Sequence, residues 1–180
     1  MQEEIDQKII QFYKEGDQQK AISLLLNTYQ ERLYWHIRRI LFSHDDTDDV
    51  LQNTIVKAWR GLASFNGDSK LYTWLYRIAT NEIYSYIEKN KKRKFHLDVE
   101  RDLNLVSDIN ADDLNGDAIQ VKLEKAIALL PEKQRMVFHL KYFEEMKYSE
   151  MSKVLNTSEG ALKASYHIAS KKIQEFLRSN

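Results

Sequence analysis

The 180-residue chain is 43% apolar and 30% charged, and its 27 basic residues balance its 27 acidic residues. It contains no cysteine, which excludes disulfides, cysteine nucleophiles and thiolate metal sites, and it has no apolar run of about 18 residues that could span a membrane. The N-terminal segment lacks the basic-then-apolar order of a signal peptide, so we expect a cytoplasmic protein without membrane insertion. Only five glycines and one proline are present, which favours an all-α fold over a β-sandwich or barrel.

The first half of the chain has the apolar spacing of consecutive helices. Four aspartates, at positions 45, 46, 48 and 49, lie at the start of the second of these helices. Carboxylates are stabilised there by the helix dipole, by roughly 0.3 to 1 kcal/mol each. The residues expected to pack are Ile22, Leu25, Leu26, Tyr29, Leu33, Ile37 and Ile40 in one helix, and Val50, Leu51, Ile55, Val56 and Trp59 in the next.

A third helix is predicted from Leu71 into a basic run, after which the composition changes sharply. Seven acidic residues and one basic residue, Arg101, fall between Asp98 and Asp117. This segment has no clear helical stripe and few large apolar residues, so we expect an acidic flexible linker. The sequence therefore predicts two small helical domains, at 1–95 and 118–180, joined by a linker at 96–117.

The last third is again helical and ends in a predicted helix-turn-helix. Its first helix carries the stripe Ile119, Leu123, Ala126, Ile127 and Leu130. Pro131 suits the first turn of the next helix, which carries Met136, Val137, Leu140 and Phe143. A short helix at roughly 149–155, a turn and a longer helix then follow, with Ser149 and Ser158 as the expected N-caps. This order has the geometry of a DNA-binding helix-turn-helix.

The last helix of this motif has two distinct faces. At about 100° per residue, the buried face comprises Leu162, Tyr166, Ala169, Ile173 and Phe176. The opposite face comprises Gly160, Ala164, His167, Lys171 and Arg178, with Lys163 beside it. Small residues allow a helix to lie deep in the major groove, and an alanine methyl can contact a thymine methyl. The residues alone leave two interpretations open, a DNA-recognition helix or an ordinary helical hairpin with a solvated face.

The third predicted helix and the loop before it combine aromatic, amide and cationic side chains. Single-stranded nucleic acid is bound by such combinations, because bases stack on the rings and cations neutralise the phosphates. Trp74, Leu75 and Ile78 are expected to pack in the core. The better surface candidates are Asn66 and Lys70 in the loop and Tyr72, Arg77 and Asn81 on the helix.

The segment at 44–49 permits an enzymatic interpretation. His44 followed by Asp45 resembles the core of a helical metal-dependent phosphohydrolase. Such a site needs further His and Asp ligands, and the neighbours of the other four histidines match no familiar ligand arrangement. Stabilisation of a helix N-terminus explains the carboxylates more simply, so no metal, cofactor or catalytic residue is expected.

Taken in order, these segments resemble one protein family. They are DDTDDVLQNTIVKAW, FNGDSKLYTWLYRIATNEI, a basic helix end, an acidic tether and LPEKQRMVFHLKYFEEMKYSEMSKVLNTSEGALKASYHIASKKI. The combination is similar to the extracytoplasmic-function sigma factors of bacterial RNA polymerase. The resemblance implies a promoter-specificity subunit, not an enzyme, that binds the core polymerase, recognises the −35 and −10 elements and initiates transcription.

The resemblance also implies partners and contact residues. The implied partners are core RNA polymerase, through its β′ coiled coil and β flap, promoter DNA in duplex and single-stranded form, and an anti-sigma factor. The implied residues are Asp49, Gln52, Asn53 and Trp59 for the polymerase core, Asn66, Lys70, Tyr72, Arg77 and Asn81 for the −10 element, and Ser158, Glu159, Lys163, Ala164, His167 and Lys171 for the −35 element.

Some positions of the helix-turn-helix depart from what is frequent in that family. Ser165 and Ile168 stand in place of two frequent arginines, which affects the expected base contacts rather than the motif. Asn156 replaces a frequent turn glycine, and asparagine enters the left-handed region more easily than most residues. Glu159 is either a partner for the helix dipole or an acceptor from a cytosine amino group.

Two other functions remain as alternatives. A free-standing helix-turn-helix regulator must bind DNA unaided, and the zero net charge disfavours it because phosphate contacts supply much of such affinity. The metal-dependent phosphohydrolase is the remote alternative.

Overall fold

The structure is a computed structural model that describes residues 2–94 and 118–179. Within these ranges every regular element is helical, so the predicted all-α class is confirmed. The chain divides into two compact units, Met1–Tyr86 and Ile87–Asn180. The predicted acidic linker at 96–117 lies outside the described residues. The α-helices are α1 (Gln2–Lys14), α2 (Gln18–Leu41), α3 (His44–Gly61), α4 (Leu71–Lys94), α5 (Ala118–Ala128), α6 (Glu132–Tyr142), α7 (Tyr148–Leu155) and α8 (Glu159–Ser179).

Helix α1 packs along α2 partly through polar groups. Ile9 is fully buried, and Asp6 is only 8% exposed. Asp6 accepts a hydrogen bond from the hydroxyl of Tyr29 on α2, and the Gln2 amide donates to that hydroxyl at 2.8 Å. Burial, followed by the nearby Asp6, raises the pKa of the Tyr29 hydroxyl above its ordinary value. Polar residues therefore do part of the packing of α1 on α2, beside the buried Ile9.

The core of the first unit lies where α2 meets the other helices. His36 on α2 is fully buried, and its Nε2 lies 3.3 Å from the Thr80 hydroxyl on α4. Burial lowers the pKa of His36 to about 3, so the imidazole is neutral. The prediction that Val56 packs is wrong, because that side chain is 42% exposed. The large buried side chains are Ile9, Leu25, Tyr29, Leu33, Ile37, Ile40, Leu71, Leu75, Tyr76 and Ile83.

Capping residues set where α2 ends and α3 begins. Phe42 adopts a left-handed conformation with φ of 61°, and its N–H donates to the Arg38 carbonyl at 2.9 Å. Ser43 then caps α3, because its hydroxyl accepts a hydrogen bond from the Asp46 N–H at 3.3 Å. Asp45 and Asp46 occupy the first turn of α3, as expected for carboxylates near a helix N-terminus.

The second unit is built around α8, which packs on α5, α6 and α7. Two details differ from expectation. Ile119 is 68% exposed and does not join the stripe, and Pro131 occupies the N-cap of α6 rather than its first turn. The main core cluster comprises Ala126, Ile127, Leu130, Phe138, Ala169 and Ile173.

The predicted helix-turn-helix is formed by α7 and α8. Its first helix begins one residue earlier than expected, so Ser149 lies inside it and Lys147 is the N-cap. Asn156 ends α7 in the left-handed conformation, with φ of 49° and ψ of 47°. Ser158 caps α8 as predicted, since its hydroxyl accepts a hydrogen bond from the Ala161 N–H at 3.3 Å. The short turn between Asn156 and Ser158 therefore sets the angle between α7 and α8.

Candidate polymerase and nucleic-acid interfaces

An exposed polar face runs along α3. Asp49, Gln52 and Asn53 are all exposed. Residues three and four apart lie on the same side of a helix, so Asp49, Gln52 and Val56 form one continuous row. The exposed Val56 is therefore an apolar side chain within a polar face, and the sequence stripe did not reveal this position. We call Asp49, Gln52, Asn53 and Val56 the α3 face.

Trp59 is half-buried beside the α3 face. Its ring meets Tyr13 of α1 edge-on, with 4.9 Å between ring centroids. Trp59 and Val56 also line a groove of about 530 Å³ between the start of α2 and the end of α3. The groove is further lined by Gln18, Gln19, Ile22, Ile55 and Arg60. Trp59 thus fixes the end of α3 against α1 and α2 while leaving part of its edge at the surface.

The loop between α3 and α4 is held by a single indole. Trp74 packs against Phe65 with 5.2 Å between ring centroids, and it also closely approaches Gly61. Asn66 is exposed, and its amide donates to the Asp68 carboxylate at 2.6 Å. Gly67 between them has a φ of 85°, which residues with a Cβ rarely adopt. The loop therefore presents Asn66 from a defined turn.

Lys70, the last loop residue, contacts α1. Its ammonium group lies 3.5 Å from a Glu3 carboxylate oxygen, and both side chains are more than half exposed. An exposed ion pair of this kind contributes little to stability. Lys70 can therefore exchange this carboxylate for another anion at small cost.

The predicted −10 residues of α4 do not share one face. Arg77 and Asn81 are both exposed and lie one turn apart. Tyr72 projects from a different side of the helix, where its ring packs on Tyr76 with centroids 4.5 Å apart. The guanidinium of Arg32, on α2, stacks over the Tyr72 ring at 4.9 Å. The structure therefore joins Arg77 with Asn81 and separates Tyr72 from them.

Arg32 is a candidate that the sequence did not indicate. It is exposed on α2 and reaches Tyr72 across the gap between two helices. Two turns further along α2, Arg39 stacks on Trp35 at 5.6 Å. Cations over aromatic rings are suited to phosphate and base contacts, but only tertiary packing brings Arg32 to Tyr72.

The exposed face of α8 carries the six residues predicted for duplex DNA. Ser158 is occupied as the N-cap, and Glu159 is exposed in the first turn, where the helix dipole favours a carboxylate. Lys163, Ala164, His167 and Lys171 are all exposed along the helix. Lys171 also lies 3.9 Å from the Glu175 carboxylate. All six side chains are therefore at the surface or the cap, and four of them form a ridge along α8.

The ring of Tyr148, at the start of α7, contacts a lysine of this face. Its ring has the ammonium group of Lys163 at 5.6 Å and that of Lys141 at 5.2 Å. Burial raises the pKa of the Tyr148 hydroxyl, with Tyr166 adding to the effect. The sequence did not single out Tyr148, because its relation to Lys163 depends on the angle between α7 and α8.

Comparison with known proteins identifies the family to which the chain belongs. The Sigma-70 region 2 family matches residues 25–93, and the Sigma-70 region 4 family matches residues 120–173. The extracytoplasmic-function (ECF) RNA polymerase sigma factor SigW of Bacillus subtilis is 33% identical over 181 residues, covering 95% of this chain and 96% of SigW. The chain belongs to the ECF sigma factors of bacterial RNA polymerase. It is therefore a promoter-specificity subunit of that enzyme.

Other relatives agree with this sigma-factor assignment. The RNA polymerase sigma-H factor of Pseudomonas aeruginosa is 30% identical and covers 98% of this chain and 95% of its own. The ECF sigma-E factor of Escherichia coli is 31% identical, with 88% of this chain and 87% of its own covered.

Two solved structures share the fold of this sigma factor. The sigma factor RpoE from Bartonella quintana, in complex with the anti-sigma factor NepR, has a TM-score of 0.71, 24% identity and coverage of 88% of this chain and 98% of its own. CnrH, in complex with the cytosolic domain of CnrY, has a TM-score of 0.71, 23% identity and coverage of 98% and 99%.

The surroundings of His44 bear on the hydrolase alternative. Its Nδ1 lies 2.9 Å from the Tyr34 hydroxyl and 3.8 Å from an Asp48 carboxylate oxygen. Among residues 2–94 and 118–179, no group of three or more His, Asp or Glu side chains is arranged to hold a metal ion. The sigma-factor family, rather than a phosphohydrolase, accounts for the segment at 44–49, where the aspartates lie at the start of α3.

Across the described parts of the sigma factor, no helix combines the length and apolar character needed to cross a bilayer.

Proposed function

We propose that this sigma factor divides promoter recognition between its two units. In this proposal, domain 1–95 docks on the core polymerase and opens the −10 element, the linker at 96–117 tethers the domains, and domain 118–180 binds the −35 element as duplex. The observation that carries the proposal is the pair of separate exposed polar faces, on α3 and on α8. Each face lies inside one of the two matched sigma regions.

The α3 face is proposed to dock on the coiled coil of the β′ subunit. Asp49, Gln52 and Asn53 supply a carboxylate and two amides around the partly exposed Val56. An apolar centre with a hydrogen-bonding rim is the usual arrangement of a protein interface. Trp59 supports the face by fixing the end of α3 against Tyr13.

The −10 contacts are proposed to come from two groups of residues. Asn66 and Lys70 approach the separated strands from the loop, and Arg77 and Asn81 continue that contact along α4. Exposed amide, cationic and aromatic groups at a loop and helix suit unstacked bases and their phosphates. Tyr72 contributes from another side of α4, with Arg32 over its ring.

Helix α8 is proposed to enter the major groove of the −35 element. Its N-terminal turn carries Ser158 and Glu159, and its exposed ridge carries Lys163, Ala164, His167 and Lys171. A recognition helix contacts base edges with its N-terminal residues. The net charge of the chain is zero, so the phosphate affinity is proposed to be shared among the polymerase core, the −10 contacts and α8.

The sigma factor is further proposed to act in the cytoplasm and to catalyse no reaction of its own. Phosphoryl transfer would stay with the core polymerase. One of the two similar solved structures contains a sigma factor bound to the anti-sigma factor NepR, and the other contains CnrH bound to the cytosolic domain of CnrY. We therefore include an anti-sigma factor among the proposed partners, together with the β flap of the polymerase.

Reconstituted transcription tests this proposal. The purified protein is mixed with core RNA polymerase and a genomic library that contains promoters, and transcript starts are mapped. The expected result is a set of specific starts that core alone does not produce. Failure to bind core, or an unchanged set of starts, would contradict the proposal.

A further inference from the structure

Ile168 is an apolar side chain on the proposed DNA-binding face of α8. It is 46% exposed, whereas the packed residues Leu162, Ala169 and Ile173 are at most 4% exposed. At 100° per residue, Ile168 lies about 120° from the centre of that packed row, and His167 lies about 140° away in the other direction. Ile168 and His167 therefore flank the same outward face.

The outward face of α8 has two chemically different edges. One edge is polar and carries Lys163, His167 and Lys171. The other edge is apolar, because the exposed residues Ala161 and Ala164 lie at helical spacing before Ile168. Between Ala161 and Ile168, the outward face of α8 thus carries methyl groups along one edge and polar groups along the other.

The cations nearest to Ile168 are engaged elsewhere. Lys172, four residues after Ile168, donates to the side-chain oxygen of Gln134 on α6 at 3.0 Å. Lys171 lies 3.9 Å from the Glu175 carboxylate, towards the C-terminal end of the helix. These contacts draw both lysines away from Ile168, which retains its exposure.

Major-groove chemistry limits what Ile168 can contact. Among the base edges in that groove, the C5-methyl group of thymine is the apolar feature, and the remaining groups are hydrogen-bond donors or acceptors. A β-branched side chain in a helix has one strongly preferred χ1 rotamer, so the γ-methyl group of Ile168 has a well-defined position. Burial of the exposed side chain against a methyl group is favourable, whereas burial against a donor or acceptor leaves that group without a partner.

We propose that Ile168 contacts the methyl group of a thymine in the −35 element and selects thymine at that position. This inference rests on the proposed role of α8 in −35 recognition. A protein-binding role for Ile168 is disfavoured, because its apolar neighbours Ala161 and Ala164 are small and His167 and Lys171 beside them are polar, so the apolar patch is not sizeable.

Replacement of thymine by uracil tests the contact, because it removes the methyl group and keeps every hydrogen-bonding group. Holoenzyme containing the wild-type protein first selects its −35 sequence from a randomised promoter library. Each thymine of the selected element, on both strands, is then replaced by deoxyuridine, and equilibrium binding is measured. One replacement is expected to weaken wild-type binding by about three- to fivefold. Ile168→Ala is expected to bind the thymine and deoxyuridine duplexes equally.

Two further variants make the result specific to Ile168. Ile168→Val is expected to retain part of the thymine preference. Leu129→Ala removes a similarly exposed apolar side chain, 57% exposed in the turn after α5, and is expected to keep the full wild-type preference. Equal deoxyuridine penalties for wild type and Ile168→Ala, or no penalty at any thymine, would overturn the contact. If holoenzyme selects no −35 sequence at all, the proposed function of α8 has failed instead.

Discussion

The indole of Trp74 lies so close to Gly61 that a Cβ atom on Gly61 would come within 2.9 Å of the indole Cζ2 atom. Trp74 also contacts Phe65, so the same ring holds both ends of the segment that leads to Asn66. The backbone of Gly61 is helical, with φ of −77°, and an alanine could adopt it without strain. Space for the indole, rather than backbone conformation, is therefore what glycine provides at this position.

Gly61→Ala is expected to lower the free energy of unfolding by about 1–2 kcal/mol, because the added methyl must displace the indole. The measurement is urea unfolding followed by circular dichroism. Gly160→Ala is the matched control, since no atom lies within 4 Å of its added Cβ. That control is expected to raise stability by up to about 1 kcal/mol through helix propensity. Equal stability of Gly61→Ala and wild type would contradict the packing argument.

The α3 face gives a prediction about assembly. The double substitution Asp49→Ala with Gln52→Ala is expected to weaken core-polymerase binding at least about tenfold, because two hydrogen-bonding groups are removed from the proposed interface around Val56. Unfolding should change little, since both side chains are exposed. The matched control is Glu31→Ala with Gln30→Ala, an acid and an amide exposed on α2. Retained core affinity in the α3 variant would exclude this face from docking.

Arg77 and Asn81 lie on a different side of α4 from Tyr72, so substitutions of these two groups are expected to have different effects. Arg77→Ala with Asn81→Ala is expected to weaken holoenzyme binding to a single-stranded −10 oligonucleotide by about tenfold or more, without a loss of stability. Tyr72→Ala is expected to destabilise the fold by about 1–3 kcal/mol, because its ring packs on Tyr76 and lies under Arg32. Oligonucleotide binding and urea unfolding distinguish the two effects.

The control for the first of these variants is Lys14→Ala with Asn27→Ala. It removes the same charge and an amide from exposed positions on α1 and α2. Normal binding by this control shows that net charge is not responsible. A loss of stability in the Arg77 and Asn81 variant, with normal DNA binding, would contradict their proposed role.

The salt dependence of −35 binding tests Lys163. If its ammonium group neutralises one phosphate, Lys163→Ala should reduce the slope of log affinity against log salt concentration by about one unit. Lys133→Ala, at an exposed position on α6, is the matched control and should leave the slope unchanged. The measurement is holoenzyme binding to duplex promoter DNA across a salt series. Identical slopes for both variants would show that Lys163 contacts no phosphate.

Buried His36 predicts a pH dependence of stability. Its pKa falls from 6.5 to about 3 on folding because burial disfavours the charged ring. The unfolded chain therefore takes up a proton that the folded chain does not, so stability is fully present above pH 6.5 and is lost as the pH falls towards 3. The contribution to the slope approaches about 1.4 kcal/mol per pH unit.

His36→Gln is expected to reduce the slope of unfolding free energy against pH below pH 6.5, because glutamine stays neutral. Urea unfolding at a series of pH values from 7 down to 4 measures the difference between the two proteins. His167→Gln, at an exposed histidine, is the control and is expected to keep the wild-type slope. An unchanged slope in His36→Gln would show that the buried ring takes up its proton in the folded state.

Sequence patterns were sufficient for features that depend on local chemistry. The N-cap at Ser158 and the left-handed Asn156 follow from the residues themselves, and both appear at the turn of the helix-turn-helix. The buried row of α8 follows from helical spacing, and Leu162, Ala169 and Ile173 are indeed buried.

The remaining features depend on contacts between helices. The stacking of Arg32 on Tyr72 joins residues 40 positions apart, so no local pattern could predict it. Val56 belongs to an apolar run but projects outwards, since periodicity alone cannot tell the edge of a stripe from its centre. The hydrogen bond from Tyr29 to Asp6 likewise joins residues 23 positions apart and depends on the packing of α1 on α2.

The hydrogen bond between Asp6 and Tyr29 sets a practical limit on how the protein can be shortened. The region 2 match begins at residue 25 and so retains Tyr29 but omits its partner. A chain cut at that position would lose both the acceptor of the Tyr29 hydroxyl and the helix that packs on α2, so buried apolar surface would become exposed to water. The fully buried Ile9 would be lost with α1, together with its contribution to the core. An independently folding N-terminal fragment must therefore include α1, although the recognisable family signature begins after it.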